Sequence, residues 1–352
     1  MISNLVRRFT SWETFLALVT LAALAIAVIS VPNFASGFNL SQAAAGISEK
    51  ALLVLPMALL IIAREIDLSI ASILALSSVV LGVLIRSQVP LPLAIPVVLG
   101  VGMLAGAFNG LLVTRLNLPS LLVTLGTMAL FRGIGYMILG AASVNELPDA
   151  LTNFGIDMVG ATDVPWTIVP FIVLFPLFAL LLQCSASGRR IYAIGGNPEA
   201  ALYAGVKIRQ LRLALFVLTG FMSALAGIVF TARLSNARAD NALGFELDVI
   251  TIALLGGINV LGGRGKLTGV FWAMVLVATL RNVLGLEQIG GDTQGVVIGL
   301  LLIISLLLNN AAGGVFDTVR VRRFTSFQSE PHPDVISPSS VTVLSTKGDS
   351  EK

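Results

Sequence analysis

Leu213 to Ala232 reads LALFVLTGFMSALAGIVFTA, without a single Asp, Glu, Lys or Arg. About 20 apolar residues in a helix cross the hydrocarbon core of a bilayer, so this stretch reads as a membrane-spanning helix. Uncharged stretches of spanning length recur at Thr14 to Ser48, Ser87 to Thr114, Val164 to Gly188 and Thr293 to Phe316. Between them lie shorter apolar runs at Ala51 to Ala63, Leu68 to Ile85, Leu118 to Phe131 continuing past Arg132, Val249 to Leu261 and Leu267 to Leu280. The whole divides into ten segments near 15–31, 47–63, 67–85, 92–113, 118–141, 165–183, 212–232, 247–261, 267–285 and 294–308. The chain therefore reads as an all-α polytopic membrane protein of about ten transmembrane helices.

Composition agrees. Of 352 residues 56% are apolar and 34 are Gly, so apolar plus Gly makes about two-thirds of the chain, against roughly half in a soluble domain. The net charge of +3 is small and no basic run is interleaved with aromatics, so nucleic acid is not an expected partner. Cys184 stands alone and cannot form an intrachain disulfide, and His332 stands alone and cannot assemble a nitrogen and sulfur metal site. No metal ligands are assigned.

Lys and Arg favour cytoplasmic loops. With the N-terminus inside, ten alternating segments put Arg64, Arg115, the 184–212 loop, Arg264, Lys266, Arg320, Arg322 and Arg323 inside. The 142–164 loop falls outside, with Glu146, Asp149, Asp157 and Asp163 but no Lys or Arg. The basic start at Arg7 and Arg8 could open a signal peptide, but the hydrophobic segments behind it favour an uncleaved first helix. Residues 1–13 are expected to be a cytoplasmic N-terminus, 14–310 the transmembrane domain with a cytoplasmic loop at 184–211, and 311–352 a cytoplasmic tail. From about Ser326 that tail is rich in Ser, Pro and charge and is expected to be disordered.

The 188–210 loop reads GRRIYAIGGNPEAALYAGVKIRQ. Asn197 suits an N-cap, Pro198 the first helical position and Glu199 the positive end of the dipole, while Gly205 suits a C-terminal stop. A helix of about two turns is unstable alone and needs a surface to pack against. That surface is either its own chain and the membrane, or another protein.

Gly188 to Val206, the run LTGFMSALAGIVFTARLSNA (Leu218 to Ala237) and GFELDVITIALLGGINVLGGRGKLTG (Gly244 to Gly269) resemble the permease subunits of ribose-type ABC sugar importers. FNLSQ (Phe38 to Gln42), EIDLSIASILALSS (Glu65 to Ser78) and LVTLGTMALFRGIGYMILG (Leu122 to Gly140) are similar to the same family, so the resemblance runs from about 15 to 310. It implies a subunit of the bacterial inner membrane, pairing with a second permease chain, identical or related. It also implies a separate ATPase that uses ATP and magnesium, and a periplasmic sugar-binding protein. Its coupling helix, gripped by the ATPase, would fall on Gly188, Arg189, Gly195, Gly196, Asn197, Pro198, Glu199, Ala200, Ala201 and Gly205. The family usually has two glycines before Ile-Asp-Leu-Ser, where this chain has Arg64 and Glu65. That variant is similar to a rhamnose-type branch, with the autoinducer-2 and ribose types as alternatives. Arg64 is expected either to pair with Glu65 or Asp67 in a cytoplasmic turn or to belong to a pathway gate.

Glu65-Ile66-Asp67-Leu68 recurs loosely as Glu246-Leu247-Asp248-Val249, one copy on each side of the membrane in this topology, as an inverted repeat of segments 2–5 and 7–10 would give. A conduit for neutral sugars needs replaceable hydrogen-bonding groups. Arg64, Glu65, Asp67, Ser69, Asn109, Thr124, Thr127, Arg132, Glu246, Asp248 and Asn259 are the candidates, with Arg281 and Asn282 as further polar residues in apolar segments. For the threonines, packing is the competing reading. Gly100, Gly102, Gly106, Gly110, Gly220 and Gly227 are read as close-packing positions. GGINVLGGRGKLTG is no phosphate-binding loop, because Leu267 follows Lys266 and the glycine spacing fails. The chain carries no nucleotide site or catalytic triad of its own, so an intramembrane enzyme is disfavoured. An ion-coupled secondary transporter, with Asp67 as its coupling carboxylate, is the rival.

Overall fold

The computed structural model describes residues 12–291, 293–301 and 303. All its regular structure is helical: α1 (Trp12–Ser30), α2 (Gly37–Ile62), α3 (Ile70–Arg86), α4 (Leu91–Arg115), α5 (Ser120–Leu139), α6 (Asp149–Ile156) and α7 (Val169–Cys184, entered through a short turn at Trp166–Ile168). Then come α8 (Ala186–Gly196), α9 (Pro198–Tyr203), α10 (Ile208–Leu234), α11 (Phe245–Leu255) and α12 (Leu267–Leu286), followed by helical residues 293–301. Seven helices among the described residues are long and apolar enough to cross a membrane. The others expected as segments are the 17-residue α3, the 11-residue α11 and the stretch from 293, whose continuation to 308 lies outside the described residues, as do the N-terminal residues 1–11 and the tail.

The boundaries shift where local chemistry intervenes. The uncharged run from Thr14 to Ser48 breaks at a turn holding Pro32 and Asn33, the latter with φ 62°. The chain then restarts at Ser36, whose side chain caps α2 by accepting from Asn39 N. Thus α2 begins ten residues before the expected 47 and ends at Ile62. It is the central helix, with 94% of its apolar window buried inside the chain against 17% for α1.

Helix α10 packs against α2 and runs the other way: Arg212 near its start meets Glu65 just beyond the end of α2, and Arg233 near its end meets Glu49 halfway back. Glu65 and Asp67 fall in the first break and Glu246 and Asp248 in the first turn of α11, but each long helix is followed by a break and a shorter helix, α3 or α11, and the two breaks lie at opposite ends. This is the arrangement an inverted repeat requires.

The connections sort by end as alternating spans demand. Residues 62–66, 195–196, 212 and 263–265 are joined at one end by Arg64, Glu65, Tyr192 and backbone hydrogen bonds. At the other end the 142–164 segment is tied to the α10–α11 connection, where Val144 and Ala237 exchange backbone hydrogen bonds of 3.1 and 3.0 Å.

Glycines bring α4 and α10 together. A Cβ at Gly106 would overlap the carbonyl oxygen of Phe216, one at Gly220 that of Gly102, and one at Gly110 would press on Leu213. Gly227 packs likewise against the Leu74 carbonyl of α3, whereas Gly100 faces open space and plays no such part. Gly220→Leu is expected to cost about 1–3 kcal/mol through overpacking. The check is the melting temperature of the detergent-solubilised chain, which should fall for Gly220→Leu and hold or rise for Gly100→Ala, where a Cβ meets nothing and alanine favours the helix.

Candidate functional site

The 184–207 loop folds as its capping residues require. Ser185 caps α8 by accepting from Gly188 N at 3.1 Å. Asn197 Oδ1 then accepts from the backbone N–H groups of Glu199 and Ala200 at 3.0 and 3.1 Å, satisfying two of the orphan donors at the start of α9. At the far end Gly205, with φ 80°, donates to Leu202 O and Val206 N donates to Ala201 O, a Schellman stop that only a residue free to turn left-handed closes cheaply. Ala201 is buried at 4% exposure and anchors the helix, while Leu202 and Tyr203 stand 62% and 91% exposed. The result is a rigid, capped peg with an apolar tip turned away from its own chain.

The peg's base is held by the end of α2. The last four carbonyls of α2 all find donors: Ala63 N on Leu59, Glu65 N on Leu60, Arg64 N on Ile61 and Gly263 N on Ile62. Residue 64 occupies the left-handed position of this stop, at φ 66°, where glycine is the usual choice. Gly195 lies so close to Ile62 and Gly263 that a Cβ there would collide with both backbones. Tyr192, its hydroxyl pushed up in pKa by burial, donates to Gly265 O at 2.6 Å. Three segments distant in sequence thus share one backbone seam.

Arg64 corrects one expectation. It pairs with neither Glu65 nor Asp67: its Nε donates to Gly195 O at 2.7 Å and its Nη2 to Gly196 O at 2.9 Å. Glu65 instead pairs with Arg212 at 2.8 Å. Burial pushes the Glu65 carboxyl up in pKa while the Arg212 guanidinium pulls it down, and the upward push prevails. Arg64, Glu65, Asn117, Ser120 and Arg212 line a cavity of about 440 Å³ at this end.

Asp67, Ser69 and Asn109 come together as one buried knot. Ser69 donates to Asp67 Oδ1 through its backbone N at 2.9 Å and its hydroxyl at 2.6 Å, and Asn109 Nδ2 donates to Ser69 Oγ at 2.8 Å. Thr124 donates to Ser120 O at 2.8 Å and sits 3.3 Å from Ile66 O, and Thr127 leans on Thr124 O. All five side chains are buried within the single chain, so their visible work is to hold the α2–α3 break against α4 and α5. Asn259 lies outside the helices: α11 ends at Leu255, and Asn259 Oδ1 accepts from Leu261 N in the turn beyond it.

At the opposite end Arg132 donates to Ala239 O and Asn241 O at 2.7 and 2.6 Å, fixing the α10–α11 connection to α5. Asp248 accepts from Arg281 with both oxygens at 2.7 Å and pairs with Lys50 at 2.7 Å. Glu246 lies within electrostatic reach of Arg132 and Asp248, and its Oε2 is buried without a hydrogen-bond partner among the described residues. The sequence reading missed Glu49, Lys50 and Arg233, although charges inside an apolar helix signal a protein-facing partner. Asn282, by contrast, exchanges side-chain hydrogen bonds of 2.8 and 2.9 Å with Asn39.

Residues 39–306 match the family described as branched-chain amino acid transport system / permease component. The ribose import permease protein of Haemophilus influenzae is 31% identical over 307 residues, 86% of this chain and 93% of that protein. The L-arabinose transport system permease protein of Escherichia coli is 33% identical, covering 85% and 90%. An autoinducer 2 import system permease protein from the same species is 33% identical, covering 80% and 82%. No solved structure matches the chain significantly. The chain belongs to this permease family, and it is a transport component of the membrane, not an enzyme.

Asp248→Asn would leave Lys50 and Arg281 facing a neutral amide in a largely buried site. Breaking such a pair is expected to cost about 3 kcal/mol, read as a lower melting temperature. Asn197→Ala is expected to loosen α9 by about 1 kcal/mol without lowering global stability. Amide exchange should accelerate at 199–204 and nowhere else.

Proposed function

We propose that this chain is the membrane-spanning subunit of an ATP-driven importer of a monosaccharide, with rhamnose or another deoxyhexose or pentose as cargo. In this reading a separate ATPase binds ATP and magnesium and grips α9, and a soluble binding protein delivers the sugar from the periplasmic side. Two permease chains, identical or related, enclose the pathway. Both termini lie in the cytoplasm of a bacterial cell, and the end bearing α8 and α9 faces inward.

The carrying observation is the peg itself. A helix of six residues, capped at both ends and seated on a backbone seam, presents Leu202 and Tyr203 to solvent. Exposed large apolar side chains on a rigid support suit burial in a partner. Family membership supports the transport role, and the names of the relatives support a sugar or sugar-like cargo. Basic residues Arg189, Arg190, Lys207 and Arg209 around the peg support its placement on the cytoplasmic side. Rhamnose rests on the REIDLS variant alone.

The test is co-purification of the tagged chain from its native membranes. An ATPase and a sugar-binding protein should come with it, and that binding protein should retain a deoxyhexose or pentose when challenged with a panel of sugars. A chain that purifies alone, and whose uptake collapses with an uncoupler but persists without ATP, would contradict the proposal.

A further inference from the structure

Arg64 stands where a helix stop favours glycine, at φ 66°, and an L-residue in the left-handed region pays a steric cost between its Cβ and the backbone. The side-chain contacts of Arg64 offset that cost. Its guanidinium reaches across to the last turn of α8 and supplies donors to Gly195 O and Gly196 O. These are carbonyls at a helix C-terminus, which lack intrahelical donors and lie at the negative end of the dipole, where a cation binds best. The planar fork suits two neighbouring acceptors in a way that an ammonium does not. The Cγ of Arg64 also fills the space beside Gly262, where a Cβ would collide with it. One side chain thus joins the end of α2, the residues immediately before α9 and the glycine loop before α12. The next residue, Glu65, is held by Arg212 at the start of α10.

We propose that Arg64 is a positioning residue that locks the base of the α9 peg to the α2–α3 break, so that displacement of α9 is passed to the helices through this side chain. The inference rests on the reading of α9 as the ATPase-docking element and deepens it. Glycine at position 64 would keep the stop and relieve the backbone strain, but would leave the two α8 carbonyls to water and let the loop move without the break.

The test is hydrogen–deuterium exchange on the purified complex of the chain with its ATPase in lipid nanodiscs, with and without AMP-PNP. In the natural chain the nucleotide should change exchange at both 197–205 and 63–69. In Arg64→Gly the change at 197–205 should persist while that at 63–69 shrinks by about tenfold or more, the scale of one lost charged hydrogen bond. Arg64→Lys, which keeps the charge but not the fork, should fall between and serves as the readout should the glycine variant not fold. An undiminished response at 63–69 in either variant would overturn the role of Arg64, as would a natural chain that responds at 197–205 alone. No response at 197–205 in the natural chain would instead overturn the docking role of α9.

Discussion

The carbonyl oxygen of Ile62 is where the structure is most constrained. It is the last acceptor of the central helix, and a helix end inside a protein cannot leave its carbonyls bare. Gly263 N supplies the donor at 2.9 Å, and Gly195 packs against the same spot so closely that no side chain fits. The glycine loop before α12 and the final turn of α8 are therefore pinned to the end of α2. Because α9 follows α8 after a single residue, its direction and its exposed tip inherit that constraint.

Charge obeys a second constraint. An ion in the membrane must face protein, water or an opposite ion. The ions of α2 and α10 obey it by tying the two antiparallel helices to each other and to the helices that follow: Glu65 to Arg212, Glu49 to Arg233, Asp248 to Lys50 and Arg281. The polar residues near the two breaks mostly serve the same end. Asp67, Ser69 and Asn109 close the gap between α2 and α3 from within, and Arg132 does so for the α10–α11 connection through backbone carbonyls. Broken helices are tolerated because side chains replace the missing ladder bonds.

Much of this was legible in the sequence, wherever local chemistry decides. Most spans follow from gaps in charge, though α2 starts inside the uncharged run Thr14 to Ser48 and continues through Glu49 and Lys50, and α9 follows from Asn197, Pro198 and Gly205, whose preferences act within a few residues. The glycines of α4 and α10 announced close contact, although only the structure distinguishes Gly106 from Gly100, which has nothing near it. What depends on distant partners was not legible. Arg64 has acids one and three residues away, and a local reading pairs it with them; its real acceptors lie more than a hundred residues on. Asn259 reads as part of a spanning segment because Val249 to Leu261 is uncharged, but α11 stops at Leu255 and the glycine loop beyond it reaches α2 through the Gly263–Ile62 hydrogen bond. Glu49 and Lys50 sit beside each other on one helix, and nothing local says that Arg233 and Asp248 are waiting for them.

The most direct measurement is a cryo-electron microscopy map of the chain assembled with its ATPase in lipid. The account predicts Leu202 and Tyr203 buried in a cleft of the ATPase, with the Gly263–Ile62 hydrogen bond and the Gly195 approach unchanged beneath them. A map in which the ATPase leaves α9 in solvent and binds the opposite end, or none of the chain, would contradict it.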